Sequence, residues 1–212
     1  MLTIADLQSH PKFAEVAEKV KQAGSDSLDV FGGQHQGGYH VQQHPDEFAA
    51  LVCLLLKRCR MIKLYGEIGV AAGGTTRLLW ELVGFDRSVL IDDGNHPKHM
   101  YFAAQNVLGL PYQFIKGDSH SQYVADTLKN HLSGDAKFDV VFIDGDHSYD
   151  GVKQDIELVK PYCDAATLLV FHDTRACDGV KRAFEEFSDA QRLAEFVTGE
   201  KTLGIGVVRP EV

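Results

Sequence analysis

A chain of 212 residues with 44% hydrophobic and 24% charged residues has the composition of one globular domain with room for a sizeable core. A net charge of −9 argues against a nucleic-acid phosphate footprint and an anionic membrane surface, and the longest apolar run, Phe48 to Leu56, is too short to cross a bilayer. MLTIADLQSHPK carries no apolar signal core, and Cys53, Cys59, Cys163 and Cys177 show no C-x-x-C spacing, so reduced thiols in a cytoplasmic protein are expected.

Thr3 to Ala23 reads as a covering helix, with Phe13, Val16 and Val20 on one face and Gly24 as its stop. Gly32 to His44, GGQHQGGYHVQQH, reads as a polar, lid-like loop near the site. His35, His40 and His44 are candidate ligands there, although a solvated loop accounts for them better. Pro45 opens a helix running to about Arg60. Residues 1–61 are therefore expected to form a helical cover with its loop, and residues 62–212 an α/β core, within a single domain.

Ile62 to Thr76, IKLYGEIGVAAGGTT, is the stretch around which the core is organised. It reads as a buried strand, an acid at its carboxyl end (Glu67), and a glycine loop opening a helix. Gly69, Gly73 and Gly74 let backbone N–H groups approach a ligand, and Thr75 or Thr76 can cap the helix. A dinucleotide fingerprint needs glycine where Ala71 stands, and a phosphate loop needs a Gly-Lys-Ser/Thr ending that is absent. An ordinary strand-to-helix turn remains the bland alternative.

Downstream, helix over Thr75–Val83 leads to a strand at Ser88–Ile91 ending in Asp92, an acid suited to both hydroxyls of a ribose. A helix is expected from Pro97 to Leu108, then a strand at Tyr112–Lys116. Gly117-Asp118-Ser119-His120 ends it, with small and polar groups suited to an adenine edge or, as the alternative, a plain turn. Helix over Tyr123–Leu132 leads to the buried strand Phe138–Ile143, and helix to Pro161 leads to the strand Thr167–Phe171. After one more helix, Glu195–Thr198 and Ile205–Val208 form a terminal antiparallel pair. The pattern predicts a doubly wound α/β fold with a seven-stranded, mostly parallel sheet and an antiparallel last strand.

Two strands deliver acid and imidazole at their carboxyl ends: Asp144 with His147, and His172 with Asp173. Such a set suits a divalent ion, which lowers the pKa of a bound substrate hydroxyl. His147 is the candidate general base, because its ordinary pKa suits that task. The alternative is that both aspartates merely cap helices.

E-x-G-x-x-x-G-G-T, VFIDGDHSYDGV and LLVFHDT together resemble the motifs of class I S-adenosylmethionine-dependent O-methyltransferases. The resemblance is to the cephalosporin hydroxylase and macrolide-sugar methyltransferase type, relatives of the metal-dependent catechol O-methyltransferases, and covers about Leu64 to Val208. It implies a Rossmann-like methyltransferase fold, with S-adenosylmethionine bound by Glu67, Gly69, Gly73, Thr75, Asp92, Asp118 and Ser119. It implies Mg²⁺ or Mn²⁺ on Asp144, His172 and Asp173, and His147 in the place of the catalytic base. His172 departs from the pattern, since these families usually carry a carboxylate there. The expected acceptor is a small hydroxylated molecule, a sugar or natural-product scaffold, handled without nucleic acid or membrane; a homo-oligomer is compatible. The rivals are an NAD-linked oxidoreductase, disfavoured by Ala71, and a cofactor-binding module without transfer activity.

Overall fold

The computed structural model describes residues 1–23, 39–58, 61–102, 106–132, 134–199 and 202–211. The chain alternates helix and strand: α1 (Ile4–Leu7), α2 (Phe13–Ala23), α3 (Pro45–Arg58), β1 (Ile62–Ile68), α4 (Gly74–Leu82) and β2 (Phe85–Asp92). There follow β3 (Tyr112–Lys116), α5 (Gln122–His131), β4 (Val140–Ile143), α6 (Tyr149–Val159), β5 (Leu168–His172), α7 (Asp178–Glu185), β6 (Arg192–Phe196) and β7 (Ile205–Val208). The strands form one seven-stranded sheet in the order β3-β2-β1-β4-β5-β7-β6. β1 to β5 pair in parallel, and β7 runs antiparallel to both β5 and β6.

The central strands are apolar because both their faces are covered. On β4, Val140 and Phe142 point into one core with α2, α3 and α4, while Val141 and Ile143 point into the other with α5, α6 and α7. That period of two across a fully buried strand is what a doubly wound sheet demands. Leu7, Val16, Val20 and the wholly buried α3 side chains Phe48, Leu51, Leu54 and Leu55 fill the first core. Leu2 extends the edge of the sheet by bridging in parallel to Ala194.

The single helix expected over Thr3–Ala23 is broken into α1 and α2. Pro11 lacks an N–H and pushes His10 out of helical geometry, and the chain restarts with Phe13 N–H donating to His10 O at 2.9 Å. Pro97–Tyr101 is a 3₁₀ helix where an α-helix is expected, nucleated by His96, whose ring accepts from Lys98 N–H. The lid-like loop lies largely outside the described residues, including His35; its end, residues 39–44, is described. No described helix is long and apolar enough to cross a membrane.

Candidate active site

Parallel strands aim their carboxyl ends at one edge of the sheet, and the crossover between β1 and β4 opens a crevice there. A cleft of about 640 Å³ occupies that edge. Gly69 and Ala71 line it after β1, Asp92 and Asp93 after β2, Gly117 to His120 after β3, Asp144 to His147 after β4, and His172 and Asp173 after β5. The volume suits a cofactor plus part of an acceptor.

The β1 loop is fixed by the acid at the end of β2. Val70 and Ala71 N–H groups both donate to Asp92 Oδ2 at 2.8 Å, and Gly94 N–H donates to Oδ1 at 2.7 Å. Asp92 thus lines the cleft while holding the loop, and it is the exposed Asp93 beside it whose face is turned to solvent. Gly69 adopts φ +82°, and a Cβ there would lie 2.0 Å from the Asp144 carbonyl oxygen. The close approach this glycine permits is therefore between β1 and β4. It brings the loop within reach of the Asp144 turn.

Glu67, Gly73 and Thr75 do not line the cleft. Glu67 is buried, and its Oε2 accepts from Tyr65 Oη at 2.7 Å and Thr76 Oγ1 at 2.5 Å. Burial raises its pKa to about 8, against the pull of those two hydroxyls. Gly73, at φ +75°, is the left-handed residue before α4, and Thr75 Oγ1 accepts from Gln43 Nε2 at 3.3 Å. Asp118 is exposed at the rim, accepting the His120 N–H at 2.9 Å, with the half-buried Ser119 inside it.

Asp144, His147, His172 and Asp173 come together at this edge of the sheet. His172 Nδ1 lies 3.0 Å from Asp144 Oδ1 and 3.4 Å from Asp173 Oδ1. His147 Nε2 lies 3.6 Å from Asp144 Oδ1 and 3.4 Å from Asp173 Oδ2. Burial raises the Asp144 carboxyl, but the two imidazoles more than offset it and hold it below the usual range. His172 loses protonation to burial and regains more from Asp144 and Asp173, ending well above an ordinary histidine. His147, 45% exposed in its side chain, is raised by its hydrogen bond to Asp144. Two carboxylates here share their charge with two imidazoles.

Asp144, His172 and Asp173 place one donor atom each within 4.8 Å of one another, the spacing of an ion site. Asp173 Oδ1, on the side facing His172 Nδ1, is buried without a hydrogen-bond partner, as expected of a ligand atom awaiting an ion. The residues present therefore fit a divalent ion. Of the loop histidines among the described residues, His40 and His44 do not join them, and His44 Nε2 contacts Thr198 Oγ1 at 3.1 Å.

Residues 67–174, just over half of the chain, match the family model described as a methyltransferase domain. The chain belongs to the methyltransferase domain family. This methyltransferase is also 30% identical over 118 residues to uncharacterized protein R132 of Acanthamoeba polyphaga mimivirus, a match covering 51% of this chain and 50% of that protein. The chain thus spans about half the length of that curated relative. Among solved structures it is similar to the O-methyltransferase TomG from Streptomyces achromogenes, in complex with SAM (TM-score 0.59, 18% identity, 96% and 91% of the two chains). It resembles the Bacillus cereus O-methyltransferase in complex with SAH equally (TM-score 0.59, 17% identity, 96% and 94%). The third is CalS11, a TDP-rhamnose 3'-O-methyltransferase of calicheamicin biosynthesis (TM-score 0.54, 14% identity, 93% and 91%). At these identities the likeness establishes the fold.

Among the residues that sequence reasoning did not single out, Gln42, His96 and Leu203 line the cleft of this methyltransferase. Gln42 enters from the end of the polar loop and Leu203 from the β6–β7 turn. His120 lines the β3 side, and beneath it Asp155 of α6 is fully buried with its Oδ1 3.3 Å from His120 Nε2. Burial raises Asp155 to about 6, with Ser119 and His120 opposing. The signal for Asp155 was legible: it falls on the buried face of α6, one residue before Ile156, where an unpaired acid is costly.

Proposed function

We propose that the chain is an S-adenosylmethionine-dependent O-methyltransferase acting on a small hydroxylated molecule, a sugar or natural-product scaffold. The observation carrying this reading is that one cleft joins the β1 loop, Asp92 and Ser119 to the Asp144–His147–Asp173 cluster. In this reading the cofactor runs from the Gly69–Ala71 loop, past the Asp92–Asp93 pair, to an adenine edge at Asp118 and Ser119. Glu67, Gly73 and Thr75 act from behind by shaping the loop. Residues 1–61 serve as the cover, with the polar loop as a lid, over the core formed by residues 62–212.

In this reading the His147 imidazole takes the proton of the acceptor hydroxyl, and Asp144 and Asp173, both beside its Nε2, stabilise the imidazolium that forms. Asp144, His172 and Asp173 hold a divalent ion in this reading. Such an ion, when bound, lowers the pKa of a substrate hydroxyl. The chain's remaining contribution is positioning, because methyl transfer needs the oxygen, methyl carbon and sulfur in line. The NAD-linked alternative finds no support in the loop, where Ala71 takes φ +45° and its N–H is already given to Asp92.

A calorimetric titration with S-adenosylhomocysteine and with NAD, each with and without chelator, tests the reading. Micromolar binding of the first, about −8 kcal/mol, with none of the second is expected. NAD binding without S-adenosylhomocysteine binding overturns it.

A further inference from the structure

Cys177 reads from the sequence as one more inert thiol, but its position is not that of Cys53 or Cys163, which are buried in the cores. It sits half-buried at the entry to α7, behind the His147 ring. Its Sγ lies 3.5 Å from His147 Nδ1 and 3.9 Å from Asp173 Oδ2. Asp173 takes φ +61° after β5, and Cys177 N–H closes the turn by donating to Asp173 O at 3.0 Å. That turn puts the carboxylate and the thiol on one side, facing the imidazole.

His147, Asp173 and Cys177 each place a donor atom within 4.8 Å of the others. A tetrahedral ion with bonds of about 2.3 Å to sulfur and 2.0 Å to nitrogen separates those atoms by about 3.5 Å. The sulfur–nitrogen edge here already has that length. Asp173 is only 8% exposed, and its Oδ2 is the oxygen turned to both partners, 3.9 Å from Cys177 Sγ and 3.4 Å from the His147 ring. His147, with a half-exposed side chain, leaves the opposite flank open to a water as a fourth ligand. A nitrogen, an oxygen and a sulfur donor together suit Zn²⁺ and its neighbours, and disfavour the hard ions Mg²⁺ and Mn²⁺.

We infer that His147, Asp173 and Cys177 form a second ion site, selective for Zn²⁺-like ions, that overlaps the Asp144–His172–Asp173 set through Asp173. On binding, the Cys177 thiol becomes a thiolate and its proton leaves to solvent. An ion held this way occupies the His147 imidazole, so Zn²⁺ inhibits the enzyme. The inhibitory half of the inference rests on the proposed role of His147, whereas the site itself rests on geometry alone.

The test uses chelator-stripped, full-length protein titrated with Co²⁺ as a spectroscopic stand-in for Zn²⁺. A thiolate-to-cobalt charge-transfer band is expected, lost in Cys177→Ser and displaced by Zn²⁺. Absence of that band, or its persistence in Cys177→Ser, overturns the site. Turnover, measured where S-adenosylhomocysteine binding is intact, is expected to fall roughly 10²-fold with saturating Zn²⁺, the contribution of a general base. Cys177→Ser, compared with its own turnover in chelator, is expected to escape that inhibition; inhibition unchanged in Cys177→Ser overturns the inhibitory role. A protein that shows the cobalt band but binds no S-adenosylhomocysteine refutes the proposed function and leaves the ion site standing.

Discussion

Glu67 illustrates how burial decides the state of a single residue. Its carboxyl pKa of about 8 means that folding retains a proton which the unfolded chain, with a value of 4.5, releases. The unfolded state therefore binds fewer protons between pH 4.5 and 8, and this residue's contribution to stability falls as pH rises through that window. The slope is about 1.4 kcal/mol per pH unit for a fully retained proton. Glu67→Gln, which keeps hydrogen-bonding capacity toward Tyr65 and Thr76 without the titration, is expected to flatten that slope. Urea midpoints of both proteins at pH 5, 6.5 and 8 check it; parallel pH trends refute it. In the cleft itself, His147→Ala is expected to lower kcat roughly 10²- to 10⁴-fold with little change in S-adenosylhomocysteine affinity. Near-wild-type turnover on a transferred acceptor would move the base elsewhere. Both acids and imidazoles could be picked out along the chain, because strand ends announce themselves by an apolar run that stops at a polar residue. Their protonation could not, since it depends on neighbours distant in sequence.

Among the elements, α3 does more than cover the sheet. Its fully buried Glu47 reaches the β6–β7 turn, where Oε1 accepts from Thr198 N–H and Oγ1 at 3.0 Å and Oε2 from Gly204 N–H at 2.8 Å; Thr202 Oγ1 donates as well. That turn in turn holds the segment after β5: Leu203 O accepts from Arg175 and Ala176, and Gly204 O from Thr174. One buried carboxylate thus supports the backbone that carries Asp173. Glu47→Ala leaves several buried donors without a partner and is expected to cost about 3 kcal/mol. It is also expected to weaken ion binding at Asp173, although Glu47 touches no ligand. Chemical denaturation and ion titration of the variant check both; unchanged ion affinity would show that the turn stands without it. The broken N-terminal helix belongs to this scale too. His10-Pro11 was readable as a break, but the apolar face running through Phe13, Val16 and Val20 masked it.

For the whole molecule, the cleft draws on the ends of β1, β2, β3, β4 and β5, so a ligand in it bears on the entire parallel sheet. Binding to the folded state alone stabilises by about 2.7 kcal/mol at a hundredfold excess over Kd. S-adenosylhomocysteine is therefore expected to shift one cooperative thermal transition as a unit; a shift confined to a minor early transition would place binding on a separate part. The sequence by itself determined the architecture: apolar strands of period two alternating with helices of period 3.6 allow little else than a doubly wound sheet, and glycine or acid at each strand end marks the working edge. It also determined the chemistry available there, because Asp144, His147, His172 and Asp173 stand at strand ends that must converge. Only the tertiary structure decided which groups meet. Gly69 packs against Asp144, Asp92 is turned onto the β1 loop, Glu67 is buried behind it, and Cys177 stands against His147. Each of these pairings joins residues that are neighbours only across strands or across a turn, and strand order and side-chain direction, which a linear pattern does not encode, settle them.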